Sequence, residues 1–340
     1  MGRRNKSYSI SLHQQAYNRL TGMQAFGQSK REAVAAGTDR DKIFSFSTYQ
    51  TYWKHTKYFL SYIKENYPEC TTLKAAKRHV NEWLQYRSEQ GLSAWTIQVE
   101  AKALGKLYGI KPGDPGYFTP PKRRRTDIKR SRTDTVRDGH FSKTNNAELI
   151  DFCRGTGLRR SELKQLRGQD LIARADIDAE YQKLTSLPAD QLPPEAARRL
   201  QLLQDARLFN AEAYVYVRNG KGGRPRISPI IGKKADQIIQ RMRETAPDEP
   251  VWQHVSTNAD IHSFRGDYAT AIYKRYARPI SEIPYDRVHQ GTGHAYQSQV
   301  YTCRKDERGK KLDKAAMLLA SKALGHNRIS VVADNYIRNL

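Results

Sequence analysis

Four short segments in the second half of this chain carry residue types suited to work on an anionic ester. In TGLRRSEL, Thr156 to Leu163, Arg159 and Glu162 stand three apart. That spacing puts them on one side of a helix start, where the carboxylate can aim the guanidinium. In NGKGGRPR, Asn219 to Arg226, glycines surround Lys221, so the backbone can turn sharply while the ammonium points outward. HSFR, His262 to Arg265, repeats the spacing of three, and LGH, Leu324 to His326, is followed by Tyr336. Guanidinium groups are planar, always ionised and bidentate, which suits them to the two non-bridging oxygens of a phosphodiester in a way that lysine does not match. Each segment is weak evidence by itself, because helix Arg and Lys are usually solvated and a lone histidine is more often a structural hydrogen-bonder.

The elements needed to hold these side chains are legible in the hydrophobic pattern. From Phe141 onward the chain reads as an α+β domain. A helix over 145–154 ends at Gly155, and a tight Gly-Thr-Gly turn then starts another helix with Leu163 and Leu166 inward. Residues Ala213 to Val217 alternate as a strand, Asn219 to Gly223 turn, and Arg226 to Ile230 return, so Lys221 sits at a hairpin tip. A helix over 262–276 carries Phe264, Tyr268, Ala271 and Ile272 on a core stripe, and the last helices cover about 313–324 and 329–338.

Upstream lies a smaller helical region. Tyr49, Trp53, Thr56, Phe59, Leu60 and Ile63 recur at helical spacing, and further helices are expected at about 73–90 and, after a Ser93 cap, at about 93–109. Residues 1–40 are polar and basic, with scattered apolar anchors such as Ile10, Leu12, Tyr17 and Leu20, and read as a mobile, partly helical arm, with 41–110 as the helical domain. The stretch 111–139 breaks the helical period with four prolines and reads as an interdomain linker. Its cluster Lys122, Arg123, Arg124, Arg125, Lys129, Arg130 and Arg132 suits a phosphate-contacting strap, the alternatives being a nuclear address or a solvated linker.

Composition agrees with a polyanionic partner. The 340 residues hold 59 Lys+Arg against 35 Asp+Glu, a formal net charge of +24 that is costly self-repulsion unless nucleic acid sits against it. No apolar run approaches the roughly 20 residues of a membrane-spanning helix, and the start MGRRNKSYSISLHQQ lacks the apolar stretch of a signal peptide. The three scattered cysteines suggest a reducing compartment rather than a disulfide framework or a zinc site. A cytoplasmic, nucleoid-associated protein with no membrane partner is expected. No carboxylate cluster suggests two-metal chemistry, and GKGG lacks the Ser/Thr of a P-loop, so no metal or other cofactor is expected.

Taken in order, Arg159, Lys221, His262-x-x-Arg265, His326 and Tyr336 resemble the boxes of the tyrosine recombinase, or phage-type integrase, family, over about residues 139–340. The resemblance implies an all-α, SAM-like core-binding domain at 41–110 and, at 140–340, a mixed α+β, mainly helical catalytic domain with a small antiparallel sheet. It assigns Arg159 and Arg265 to the scissile phosphate, Lys221 to the hairpin, His262 and His326 to supporting positions and Tyr336 to attack, with Glu162 as support. Chemistry agrees: a phenol ionises near pH ~10 and needs a cationic site and a base, for which His262 is the candidate. A lysine on a mobile tip can protonate the departing 5′ oxygen as general acid. The implied reaction is site-specific DNA cleavage and rejoining through a 3′-phosphotyrosyl intermediate, for integration or excision of a mobile element. Double-stranded DNA with specific recombination sites is the implied partner, bound by a homotetramer, and accessory DNA-bending or directionality proteins are compatible with it. The alternatives are a type IB topoisomerase-like relaxase and a non-catalytic architectural DNA-binding protein.

Four features depart from the family pattern. Two additions are expected, near 172–208 with a helix at about 195–207, and near 278–311 with a hairpin around QVYTCRKDERGKKL. Each reads as a protein interface, an extra DNA contact or a tolerated surface loop. His326 and Tyr336 are ten apart, one more than the family's usual spacing, and only four residues follow Tyr336, which leaves the second addition as the candidate contact between protomers. Tyr268, Tyr273 and Tyr301 compete with Tyr336 for the nucleophile's role, the first two more simply read as packing.

Overall fold

The computed structural model describes residues 10–117, 119–123, 141–188, 192–304, 307–326, 328–337 and 340. The chain divides into two compact units, Met1–Asp127 and Ile128–Leu340. Unit 1 is helical: α1 (Leu12–Gly22), α2 (Lys30–Ala35), α3 (Phe46–Asn66), α4 (Leu73–Ala76), α5 (Val80–Glu89) and α6 (Ala94–Tyr108). The stripe read from the sequence is the buried one, with Tyr49, Thr56, Phe59, Leu60 and Ile63 inward on α3. Ser45 and Ser93 cap α3 and α6 by accepting from the Thr48 and Thr96 amides.

Two expectations change here. The single helix expected over 73–90 is α4 and α5 joined by a 3₁₀ turn at Lys77–His79, where the His79 ring stacks on Tyr67 at 3.6 Å. The stretch read as a mobile arm contains α1, whose Ala16 and Leu20 are wholly buried against the α3 and α6 core. Ala16 and Leu20 stand one helical turn apart and so present one apolar face to the core, and the Gln15 side chain fastens the helix by donating to the Thr71 carbonyl at 2.8 Å.

Unit 2 begins with α7 (Ala147–Thr156) and α8 (Arg160–Gln165), then β1 (Leu171–Ala173), α9 (Arg174–Thr185), α10 (Pro194–Arg207), β2 (Ala213–Val217) and β3 (Arg226–Pro229). It continues with α11 (Ala235–Glu244), α12 (Ile261–Tyr276), β4 (Arg287–Val288), β5 (Ala295–Tyr296), β6 (Val300–Thr302), β7 (Lys311–Asp313), α13 (Lys314–Ala323) and α14 (Ile329–Asn335). Strands β1, β2 and β3 form an antiparallel sheet in that order, and β4–β5 and β6–β7 are separate two-stranded pairs. The unit is thus mainly helical with small antiparallel sheets.

The alternation of β2 explains the layering. Ala213, Val215 and Val217 face a core shared with α7, α8 and α11, whereas Tyr214 faces a second core built from α9, α10, α12, α13 and α14. Both faces of the sheet are therefore covered. The first addition, read as a surface loop or an interface, is the helical pair α9–α10, which supplies Ile177, Leu203 and Ala206 to the second core at 0% exposure. In the second addition the expected hairpin is β6–β7, preceded by the exposed pair β4–β5. Among the described residues no helix is long and apolar enough to cross a membrane.

Candidate active site

Helix α7 runs to Thr156, past the expected stop at Gly155, and ends on Gly157 in the left-handed region at φ 62°. A Cβ there would lie 2.2 Å from the Tyr268 ring, so glycine is required twice over. The turn leads to Arg159, the N-cap of α8, whose backbone amide donates to Glu162 Oε2 at 2.7 Å while its Nη1 donates to Oε1 at 2.6 Å. The neighbouring Arg160 turns away and donates to the carbonyls of Ser256 and Ala259, anchoring the loop before α12. In that loop Asp260 caps α12 through the Ser263 amide at 3.0 Å, which sets His262 and Arg265 on the first turn and a half of the helix.

Arg265 is 1% exposed. Its two terminal nitrogens donate to the carbonyls of Gly157 and Leu324. Leu324 also accepts from Arg159 Nη2 at 3.4 Å, so one carbonyl of the LGH turn joins both arginines. Burial, then repulsion from Arg226 and Arg159, pushes Arg265 down to about 10, which leaves it charged at neutral pH. Gly325, at φ 67°, closes the LGH turn, and His326 is held by its amide donating to Ser321 O at 2.8 Å. Burial first, and then the charges of Arg265, Arg159, Arg226 and Lys221, push the His326 imidazole down to about 4.

Tyr336 caps the C-terminal end of α14 and is 6% exposed. Its ring centre lies 5.1 Å from that of His262 and 5.1 Å from that of His326, with the Arg265 guanidinium 5.5 Å away. The extra residue between His326 and Tyr336 therefore does not displace either from the site. Lys221 is exposed at the β2–β3 tip, where Gly222 and Gly223 take φ of 76° and 72°. The structure thus brings Arg159, Glu162, His262, Arg265, His326 and Tyr336 together, whereas Lys221 stays on its exposed hairpin tip and is linked to them only through the field it exerts on His326. Two buried atoms there, Arg265 Nε and His326 Nε2, have no hydrogen-bond partner among the described residues. Buried polar atoms are nearly always paired, so two orphaned nitrogens within one cationic cluster are available to an anionic ligand.

The competing tyrosines have other duties. Tyr268 is fully buried and donates to the Pro229 carbonyl at 2.8 Å, and the Tyr273 hydroxyl accepts from the Asp313 amide at 3.0 Å. Tyr301 is half-buried on β6. Of the proposed basic strap, Lys122 and Arg123 are exposed, with Arg123 over the Trp95 ring at 5.8 Å. Arg124, Arg125, Lys129, Arg130 and Arg132 lie outside the described residues.

No family model matches the chain, and no curated protein does. Among solved structures, the crystal structure of XerA recombinase is similar over 95% of this chain and 94% of that one, at 14% sequence identity and a TM-score of 0.25. Likeness at that level has no weight, and the functional reading rests on the side chains.

One central residue went unread in the sequence. Arg226, the first residue of β3, is 5% exposed and donates to both Glu162 oxygens, at 2.8 and 2.7 Å. Burial would raise the Glu162 carboxyl, but hydrogen bonds from Arg226 and the charges of Arg226 and Arg159 outweigh it and hold Glu162 at about 2. The orientation comes from the sheet register and not from the local sequence. Arg226 pairs with Val217 across the sheet, so the strand alternation turns it toward α8 instead of solvent.

Proposed function

We propose that this chain is a site-specific DNA recombinase that cleaves and rejoins double-stranded DNA through a 3′-phosphotyrosyl intermediate on Tyr336. The observation that carries the reading is the buried Tyr336 ring bracketed by His262, His326 and Arg265, beside two orphaned buried nitrogens. A phosphodiester placed there would give Arg265 Nε and His326 Nε2 the partners they lack, and Arg159 would take the remaining charge.

In the proposed reaction the Tyr336 oxygen attacks phosphorus, the phenolic proton passes to His262, and the bond to the 5′ oxygen breaks as Lys221 protonates it. One phosphoester is exchanged for another, so the reverse step rejoins a 5′ hydroxyl without further energy input. Unit 1 is proposed as the core-binding domain, residues 111–139 as a linker strap on DNA, and residues 140–340 as the catalytic domain. A homotetramer on paired sites, serving integration or excision of a mobile element, completes the proposal.

The test begins with duplexes that the protein selects from a random-sequence pool, each rebuilt with a nick at successive positions. Incubation followed by denaturing electrophoresis should reveal a covalent adduct with wild type and none with Tyr336→Phe. Adducts with both proteins would place the nucleophile elsewhere. Tight binding with no adduct at any nick position would refute catalysis and leave an architectural protein.

A further inference from the structure

The Glu162 carboxylate is saturated. An ionised carboxylate offers about four acceptor positions on two oxygens. Here Oε1 accepts from Arg159 Nη1 at 2.6 Å and Arg226 Nη1 at 2.8 Å, and Oε2 accepts from the Arg159 amide at 2.7 Å and Arg226 Nη2 at 2.7 Å. The side chains of Glu162 and Arg226 are 2% and 6% exposed, whereas Arg159 is 20% exposed, so one arginine faces the open side of the site and the other lies behind it.

Arg226 also touches the other elements that form the site. Its Nε donates to the Ala323 carbonyl at 3.2 Å, at the end of α13. A Cβ on Gly325 of the LGH turn would meet Arg226 Cδ at 2.9 Å, and one on Gly220 of the Lys221 hairpin would meet Arg226 Nη1 at 3.4 Å. Backbone packs closely around this one guanidinium from the hairpin and the His326 turn, while its fork grips the carboxylate that aims Arg159.

We propose that Arg226 is a positioning residue: by sharing the Glu162 carboxylate with Arg159 it fixes the direction of Arg159 and keeps that guanidinium from being neutralised by Glu162. The inference rests on the phosphodiester reading of the site. Two cations on one anion leave a net positive charge, and the shared carboxylate, whose Oε2 is taken by the Arg159 amide and Arg226, cannot turn both oxygens onto the Arg159 guanidinium. Without Arg226 the carboxylate is free to do so, and Arg159 would meet the phosphate as half of a closed ion pair. Lysine would not serve, because a point charge cannot hold both carboxylate oxygens in one plane.

The experiment is a double-mutant cycle on a selected, nicked duplex, with Arg226→Met, Glu162→Gln and the pair together, reading both DNA affinity and the single-turnover rate of adduct formation at saturating DNA. The expected result for Arg226→Met is a rate loss on the order of a hundredfold, the scale for a mis-set charge-stabilising donor, with affinity nearly unchanged. The double variant should be no slower than Arg226→Met, because a neutral amide no longer competes for Arg159. Rates that multiply across the two single variants, or affinity falling in step with rate, would overturn the proposal and leave Arg226 as a fold-stabilising ion pair. If the methionine variant does not fold, Arg226→Lys carries the test: charge retained with the rate still lost supports the fork, and full activity refutes it. Silence from wild type would instead refute the phosphodiester reading itself, and this inference with it.

Discussion

Replacing Glu162 by glutamine should cost stability in a way that depends on pH. The carboxyl is held at about 2 against an ordinary 4.5, and at about 1.4 kcal/mol per pH unit that difference corresponds to about 3 kcal/mol of folding free energy. A second route gives the same scale, since removing one partner from a buried ion pair costs about 3–5 kcal/mol, and here Arg226 would be left without a counter-ion at 5% exposure. A carboxyl whose folded pKa is depressed stabilises fully above its unfolded pKa and loses that contribution as the pH falls through the folded one. The gap between wild type and Glu162→Gln should therefore be full at pH ~7 and shrink to less than half by pH ~3. Urea denaturation of both proteins at the two pH values measures it. A gap that stays the same size at both would refute the account, because the stabilisation would then come from packing or hydrogen-bond shape and not from ionised Glu162.

Three further outcomes follow from the same geometry. Gly157→Ala forces a Cβ into the Tyr268 ring at a φ of 62°, so thermal denaturation should show a loss of about 2–4 kcal/mol, and an unchanged melting temperature would mean the turn relaxes freely. His326, pushed down to about 4, should give wild type a stability contribution present above about pH 6.5 and lost toward pH 4, about 2 kcal/mol after allowance for solvent screening. A His326→Gln variant should lack that slope in the same range, and an identical slope in both proteins would assign it to other groups. Leu203→Ala, at a wholly buried position on α10, should cost about 2–5 kcal/mol by urea denaturation, against nearly nothing if the first addition were a surface loop.

The parts of the molecule legible in the sequence are those governed by local rules. The β2 strand appears where alternation put it, the Ser93 cap and the α3 stripe are as expected, and the short-range spacings in TGLRRSEL and HSFR deliver side chains that converge. What escaped depends on contacts between distant segments. Arg226 lies 64 residues from Glu162, and nothing local distinguishes it from the exposed Arg224 two positions earlier. The docking of α1 was not legible because low average hydropathy masks the weight of Ala16 and Leu20, which matter only once α3 and α6 are there to cover them. The break between α4 and α5 is likewise held by Tyr67, a residue outside both helices.

The α9–α10 pair has a consequence for how the unit would tolerate trimming. Its apolar side chains share one core with Tyr336 and Ile337, and Asp205 on α10 grips Lys322 on α13 at 2.5 Å, one turn before His326. Such a segment is no appendage: its burial and its ion pair tie it into the body of the unit. Removing those residues would strip Ile177, Leu203 and Ala206 from the core that also holds Tyr336, so the loss would be felt as a cavity inside the unit and not as a trimmed surface.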